Sequence, residues 1–155
     1  MGKRTGGPGS RSGSVSYRYI PYEFEGKRLR IPAASVVLRN PSLQDAATET
    51  FETFALIDSG ATTSFLPLEM AKGLGLALGD EGEARGAGGR FKTWLVEAEG
   101  ALIKGRKVYD SATGPFLIPQ EADAIPYAIL GRDWLFKRFR ITFDERQHML
   151  TLRRY

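Results

Sequence analysis

The chain has 155 residues, enough for one domain with a real core and too few for two independent lobes of ordinary size. It has no cysteine and a single histidine, His148, which excludes disulfides and thiolate chemistry and leaves a zinc site, or a serine or cysteine triad, without support. The net charge of +4 comes from basic residues near the two ends, Lys3, Arg4, Arg11 and Arg18 at one and Arg138, Arg140, Arg146, Arg153 and Arg154 at the other; with no nucleic-acid-binding motif beside them they read as solvated surface.

Residues 1–16 are Gly, Ser, Arg and Pro with almost nothing to bury, so a flexible tail is expected there and a single domain over residues 17–155. Tyr17, Tyr19, Tyr22 and Phe24 come close to alternation, as in an extended segment that packs its rings on the body. Residues 31–38 follow as a strand ended by Asn40-Pro41-Ser42, and a polar loop carries Gln44, Asp45 and Glu49. From 49 to 57 the pattern alternates and then turns wholly apolar, as a strand does on entering a core. After the turn at Asp58-Ser59-Gly60, Phe65 and Leu66 read as core, Pro67 opens a short helix through Met70, Ala71 and Lys72, and Gly73 and Gly75 stop it.

Residues 76–85 and 91–98 read as two arms of a hairpin around Gly86-Ala87-Gly88-Gly89. A further hairpin is signalled by 101–103 and 107–109 around Lys104-Gly105-Arg106, and Phe116-Leu117-Ile118 forms a separate short strand before Pro119. Tyr127 leads into Ile129-Leu130-Gly131-Arg132-Asp133, where a second helix starts with Trp134-Leu135-Phe136. The end is a hairpin of 139–143 and 149–152, with His148 in its turn region and Trp94 and Trp134 in the core. Many short strands with one or two short helices give a mostly β, closed, barrel-like fold. No stretch reaches membrane-span length and the N-terminus lacks a signal-peptide core, so a cytoplasmic protein without a membrane partner is expected.

The chemistry concentrates at Asp58. An apolar run, Phe54-Ala55-Leu56-Ile57, delivers a carboxylate into a tight turn, and burial penalises the ionised form, so such a residue is either satisfied or used. Asp58-Ser59-Gly60-Ala61, the glycine-rich 86–89 stretch and Ile129-Leu130-Gly131-Arg132-Asp133 stand in an order that resembles the retropepsin-like aspartic proteases, the family of the retroviral proteases and their cellular relatives.

The resemblance covers roughly residues 32–152 and implies a retropepsin-type fold that works as a homodimer on peptide or protein substrates, with no cofactor and no metal. By it, Asp58 is the catalytic carboxylate of each subunit, Ser59 braces the loop against the partner's, and Gly60 allows close backbone approach. Gly86, Ala87, Gly88 and Gly89 would form a flap over the substrate, with Ala61, Ile129, Leu130, Gly131, Arg132 and Asp133 as structural support. The sequence departs from the retroviral pattern at Thr62, where those members have an Asp paired with the Arg that matches Arg132, so the partner of Arg132 stays open. The competing class is a noncatalytic peptide-binding or dimerisation module on the same fold. Nucleic acid is not the expected partner.

Overall fold

The computed structural model describes residues 13–43 and 49–155. Most of the expected tail therefore lies outside the described residues, as do Gln44 and Asp45 of the polar loop. The first strand, β1 (Ser14–Arg18), takes in three residues of that tail. It pairs antiparallel with the C-terminal strand β11 (Met149–Arg154), whose other edge carries β10 (Phe139–Asp144). Alternation decides which face this sheet buries: Val15, Tyr17, Leu150 and Leu152 point into the core. The Tyr17 hydroxyl is buried with them and donates to the Ile103 carbonyl at 2.9 Å, so burial leaves no unpaired donor.

The next two strands, β2 (Ile20–Phe24) and β3 (Lys27–Ile31), form a hairpin that is a two-stranded sheet by itself. The sequence hid it because its turn, Glu25-Gly26, is not one of the strongest hairpin dipeptides, although both residues adopt the positive φ such a turn needs (49° and 73°). Phe24 at its tip is exposed rather than packed on the body.

The body is built on β4 (Ala33–Arg39), β5 (Thr50–Ile57), β6 (Glu81–Gly86), β7 (Gly89–Lys104), β8 (Lys107–Pro119) and β9 (Ala128–Leu130). Sixteen-residue β7 organises it: one edge pairs with β8 along most of its length, and the other is shared between β6 and then β4. The two strands expected around 107–118 are one continuous β8. Pro115 is tolerated within it because, among the described strands, β8 pairs with β7 alone, leaving an edge where a missing N–H costs no ladder bond. The Lys104–Lys107 turn is where the sequence put it, with Gly105 at φ 60°.

Among the described residues the expected closed barrel is not found. Strand ladders run β6-β7-β4-β5-β9 and stop. The gap between β9 and β8 is spanned by isolated bridges from Phe65, to Ile129 on one side and Leu117 on the other. The chain cannot extend that bridge into a ladder, since Pro67 immediately turns it into helix α1 (Leu68–Gly73).

A π-helical turn, Arg132–Phe136, drops Trp134 onto the β7–β8 hairpin. Its indole lies where side chains of Gly100 and Gly114 would stand: a Cβ at those positions would come within 2.8 Å and 3.2 Å of the ring. Two glycines on neighbouring strands thus make a seat for one large aromatic, and Arg138 stacks over its ring at 4.5 Å while pairing with Asp110. Among the described residues no helix is long and apolar enough to cross a membrane.

Candidate active site

Strand β5 is buried where it meets the core, with Ala55 at 0% and Ile57 at 2% exposure, and its last pairing is parallel to β9: Ala55 with Ala128, Leu56 with Ile129, Ile57 with Leu130. The Asp58 N–H continues that ladder to the Leu130 carbonyl at 3.1 Å. Beyond it the chain turns. Gly60 donates its N–H to Asp58 Oδ1 at 2.8 Å and Ala61 its N–H to the Asp58 carbonyl at 3.3 Å, an Asx-type turn that fixes one carboxylate oxygen. The other oxygen has no protein donor among the described residues, and Asp58 is half-buried with Ser59 and Gly60 exposed beside it. The carboxylate is therefore held by a rigid strand end and open on one side.

The second motif clamps this loop from behind. Arg132 and Asp133 donate their N–H groups to the carbonyls of Ala61 (2.8 Å) and Thr62 (3.1 Å). Gly131 is required by close approach: a Cβ there would stand 2.6 Å from the Thr63 carbonyl oxygen and 2.8 Å from that of Ala61. Phe65 exchanges both backbone hydrogen bonds with Ile129 at 2.9 Å. A residue the sequence does not single out ties these pieces together. Ser64, fully buried, accepts the Gly131 N–H at 2.9 Å and donates its hydroxyl to Asp133 Oδ1 at 2.8 Å. Asp133 is thus engaged in a supporting bond, while the exposed Arg132 side chain has no ion-pair partner among the described residues.

The glycine-rich stretch lies at the end of the β6–β7 hairpin. Its turn is tighter than the sequence suggests: Gly86 and Gly89 are a paired strand position, leaving Ala87 and Gly88 as the connection. Of these residues Gly89 has the positive φ, 111°, which makes it the position that a side chain would strain. Residues 86–90 are all exposed. Just below, Phe91 on β7 meets the Phe65 ring at a centroid distance of 6.1 Å, so Phe65 is half-buried against the β6–β7 hairpin rather than sealed in the core, whereas Leu66 is fully buried.

Tyr127, which precedes β9, is the other aromatic the sequence underrates. Its phenol is pushed above the ordinary tyrosine range by burial first, then by the neighbouring Tyr22 phenol and the Asp58 carboxylate. No group of three or more His, Cys, Asp or Glu able to hold a metal occurs among the described residues.

Residues 49–134 match the family model described as Aspartyl protease. Among solved structures, the chain is similar to a retropepsin-like aspartic protease from Rickettsia conorii, with 16% identity, 92% of this chain and 90% of that chain covered, and a TM-score of 0.51. It also matches the EIAV protease complexed with the inhibitor HBY-793, at 24% identity over 74% of this chain and 89% of that chain, with a TM-score of 0.46. No curated protein matches the sequence. At 16% identity the Rickettsia likeness concerns the fold, and it agrees with the mostly β, retropepsin-type architecture that the motifs imply.

Proposed function

The chain belongs to the aspartyl protease family, and from that premise we propose that it is an aspartic endopeptidase whose dyad is Asp58 from each of two identical chains. Family and fold support a protease function. The finer reading rests on one observation above all: Asp58 has one oxygen fixed by the Gly60 N–H and the other open, on a half-exposed strand end.

Peptide hydrolysis needs a base for the attacking water and an acid for the departing nitrogen, and two close carboxylates sharing one proton supply both. In this mechanism the ionised Asp58 takes a proton as the water oxygen bonds to the scissile carbonyl carbon. The protonated Asp58 of the partner hydrogen-bonds to the carbonyl oxygen as it gains negative charge. Collapse of the tetrahedral species breaks the C–N bond as a carboxyl proton passes to nitrogen. This chain has one such loop, and twofold pairing would put two copies of it on the axis.

The exposure of Ser59 and Gly60 suits a loop that meets its copy, with Ser59 bracing the contact. Gly86, Ala87, Gly88 and Gly89 would close over an extended peptide, pair with its backbone and exclude water. Residues 17–155, with β1 reaching back to Ser14, would form the protease domain.

The test is a mixed peptide library incubated with the wild type and with folded Asp58→Asn across pH. Cleavage with a bell-shaped profile peaking below neutrality, absent in the variant, is the expected result, because a doubly protonated dyad lacks its base and a doubly ionised one its acid. Turnover by folded Asp58→Asn would refute the assignment.

A further inference from the structure

The β2–β3 hairpin carries an apolar face that the body covers only in part. Its register sets Ile20, Tyr22 and Phe24 opposite Ile31, Leu29 and Lys27 on one face, with Pro21 and Glu23 opposite Arg30 and Arg28 on the other. On the first face Ile31 is buried and Tyr22 half-buried, but Leu29 is 44% and Phe24 53% exposed. Single exposed apolar residues are ordinary. These two continue an apolar strip that begins elsewhere, and its origin indicates what would cover them.

Tyr22 meets the Tyr127 ring edge-on, at 5.2 Å between centroids and 84° between planes. Tyr127 in turn lies 5.8 Å from Phe54, on the strand that delivers Asp58. Two residues after Tyr127, Ile129 pairs with Phe65, and Phe65 touches Phe91 in the flap arm. The half-buried residues Phe91, Phe65, Ile129, Tyr127 and Tyr22 therefore form a chain of neighbours from the flap to the hairpin. The rise in the Tyr127 pKa, caused by burial first and then by Tyr22 and Asp58, agrees with the Tyr127 phenol lying between the hairpin's Tyr22 and the carboxylate. At the tip, Lys27 shares the apolar face and has no ion-pair partner among the described residues.

We propose that the β2–β3 hairpin is a substrate-contacting arm, in which Tyr22, Phe24 and Leu29 receive an apolar or aromatic side chain of the bound peptide and Lys27 favours a carboxylate next to it. The inference rests on the protease reading for the identity of its occupant. A peptide lying along the strip from the flap would reach the hairpin with residues beyond the scissile bond. The arm would then select substrates by sequence at a distance from the chemistry, acting on KM more than on kcat.

The test uses fluorescein-labelled decapeptides in which one Phe is walked through an alanine–serine background, with and without an adjacent Glu. Affinity is measured by anisotropy on Asp58→Asn protein, which holds peptides without cutting them, and on the same protein carrying Phe24→Ser and Leu29→Ser. Both positions are exposed, so the fold should tolerate the changes. The expected result is about a tenfold weaker Kd for peptides with Phe at one register. Removing that Phe from the peptide and removing the hairpin side chains should not add, as for partners in contact. Adding Lys27→Ala should erase the gain from Glu.

Equal affinities for every peptide, or no peptide binding by either protein, would overturn the proposal. So would unchanged affinities together with a lower dimer content by sedimentation, which would assign the face to a second copy of the chain. Failure of the wild type to cut any library peptide would instead overturn the protease reading, with the anisotropy comparison still deciding the arm.

Discussion

Replacing Ser64 by Ala removes a side chain that joins the loop after Asp58 to the second motif. The residue is 0% exposed, and its hydroxyl makes two bonds, accepting from Gly131 at 2.9 Å and donating to Asp133 at 2.8 Å. The variant leaves the Gly131 N–H buried without a partner, at a cost of about 1–3 kcal/mol, and takes a donor from a carboxylate. Asp133 is half-buried, so water can replace part of the second loss and the total is about 2–3 kcal/mol. For a chain of this size each kcal/mol moves Tm by about 2–4 °C, which gives a fall of about 4–12 °C. Thermal melts and urea titrations of wild type, Ser64→Ala, Asp133→Ala and the double variant would measure it, with the urea slope expected to hold. The two single losses should fall short of adding, by about 1 kcal/mol, because they break a shared bond. A Ser64→Ala protein that melts within about 1 °C of wild type would refute the reasoning, since a buried donor left unpaired cannot be that cheap.

The glycines of the proposed flap should separate. Gly89→Ala forces a side chain into φ 111°, a strain of about 1–3 kcal/mol that should lower turnover several-fold, whereas Gly88→Ala meets open space; equal turnover numbers for the two variants would dismiss the distinction. Gly100→Ala places a Cβ 2.8 Å from the Trp134 ring and should cost about 1–3 kcal/mol in urea denaturation, partly recovered by Trp134→Phe in the same chain; no recovery would mean that the indole is not what the glycine accommodates. The Tyr17 phenol is pushed up to about 12, by burial first and then by Tyr109. Since the folded state favours its neutral form, the stabilisation is complete below pH 10 and lost as pH rises through about 12, so the urea midpoint should fall over that window and fall less in Tyr17→Phe; identical slopes would refute it.

Motif order made the family and the candidate site loop legible, because Asp58-Ser59-Gly60-Ala61 and Ile129-Leu130-Gly131 are short segments whose glycines and polar residues are demanded by local geometry. The clamp that Gly131 makes on Ala61 and Thr63 is a case of that demand. The terminal hairpin and the Lys104–Lys107 turn were legible too, through alternation and a turn glycine. What escaped depends on distant packing. The hydroxyl of Ser64, in a run of small residues, becomes special only when Asp133 folds over it. The unity of β8 was masked by Gly114 and Pro115, which read as breakers but sit on an edge, the glycine beneath Trp134. Phe65 looked like core by its type, yet the fold leaves it half-buried between β8, β9 and Phe91 of β7.

The central claim is that two copies of Asp58 make one active site, and mixing wild-type with Asp58→Asn protein at constant total concentration tests it most directly. If mixed dimers form at random and lack half of the dyad, cleavage should follow the square of the wild-type fraction, falling to about a quarter of the full rate at equal parts. A rate that falls only in proportion to the wild-type fraction, to about half at equal parts once subunits have exchanged, would show that each chain works alone and contradict the account.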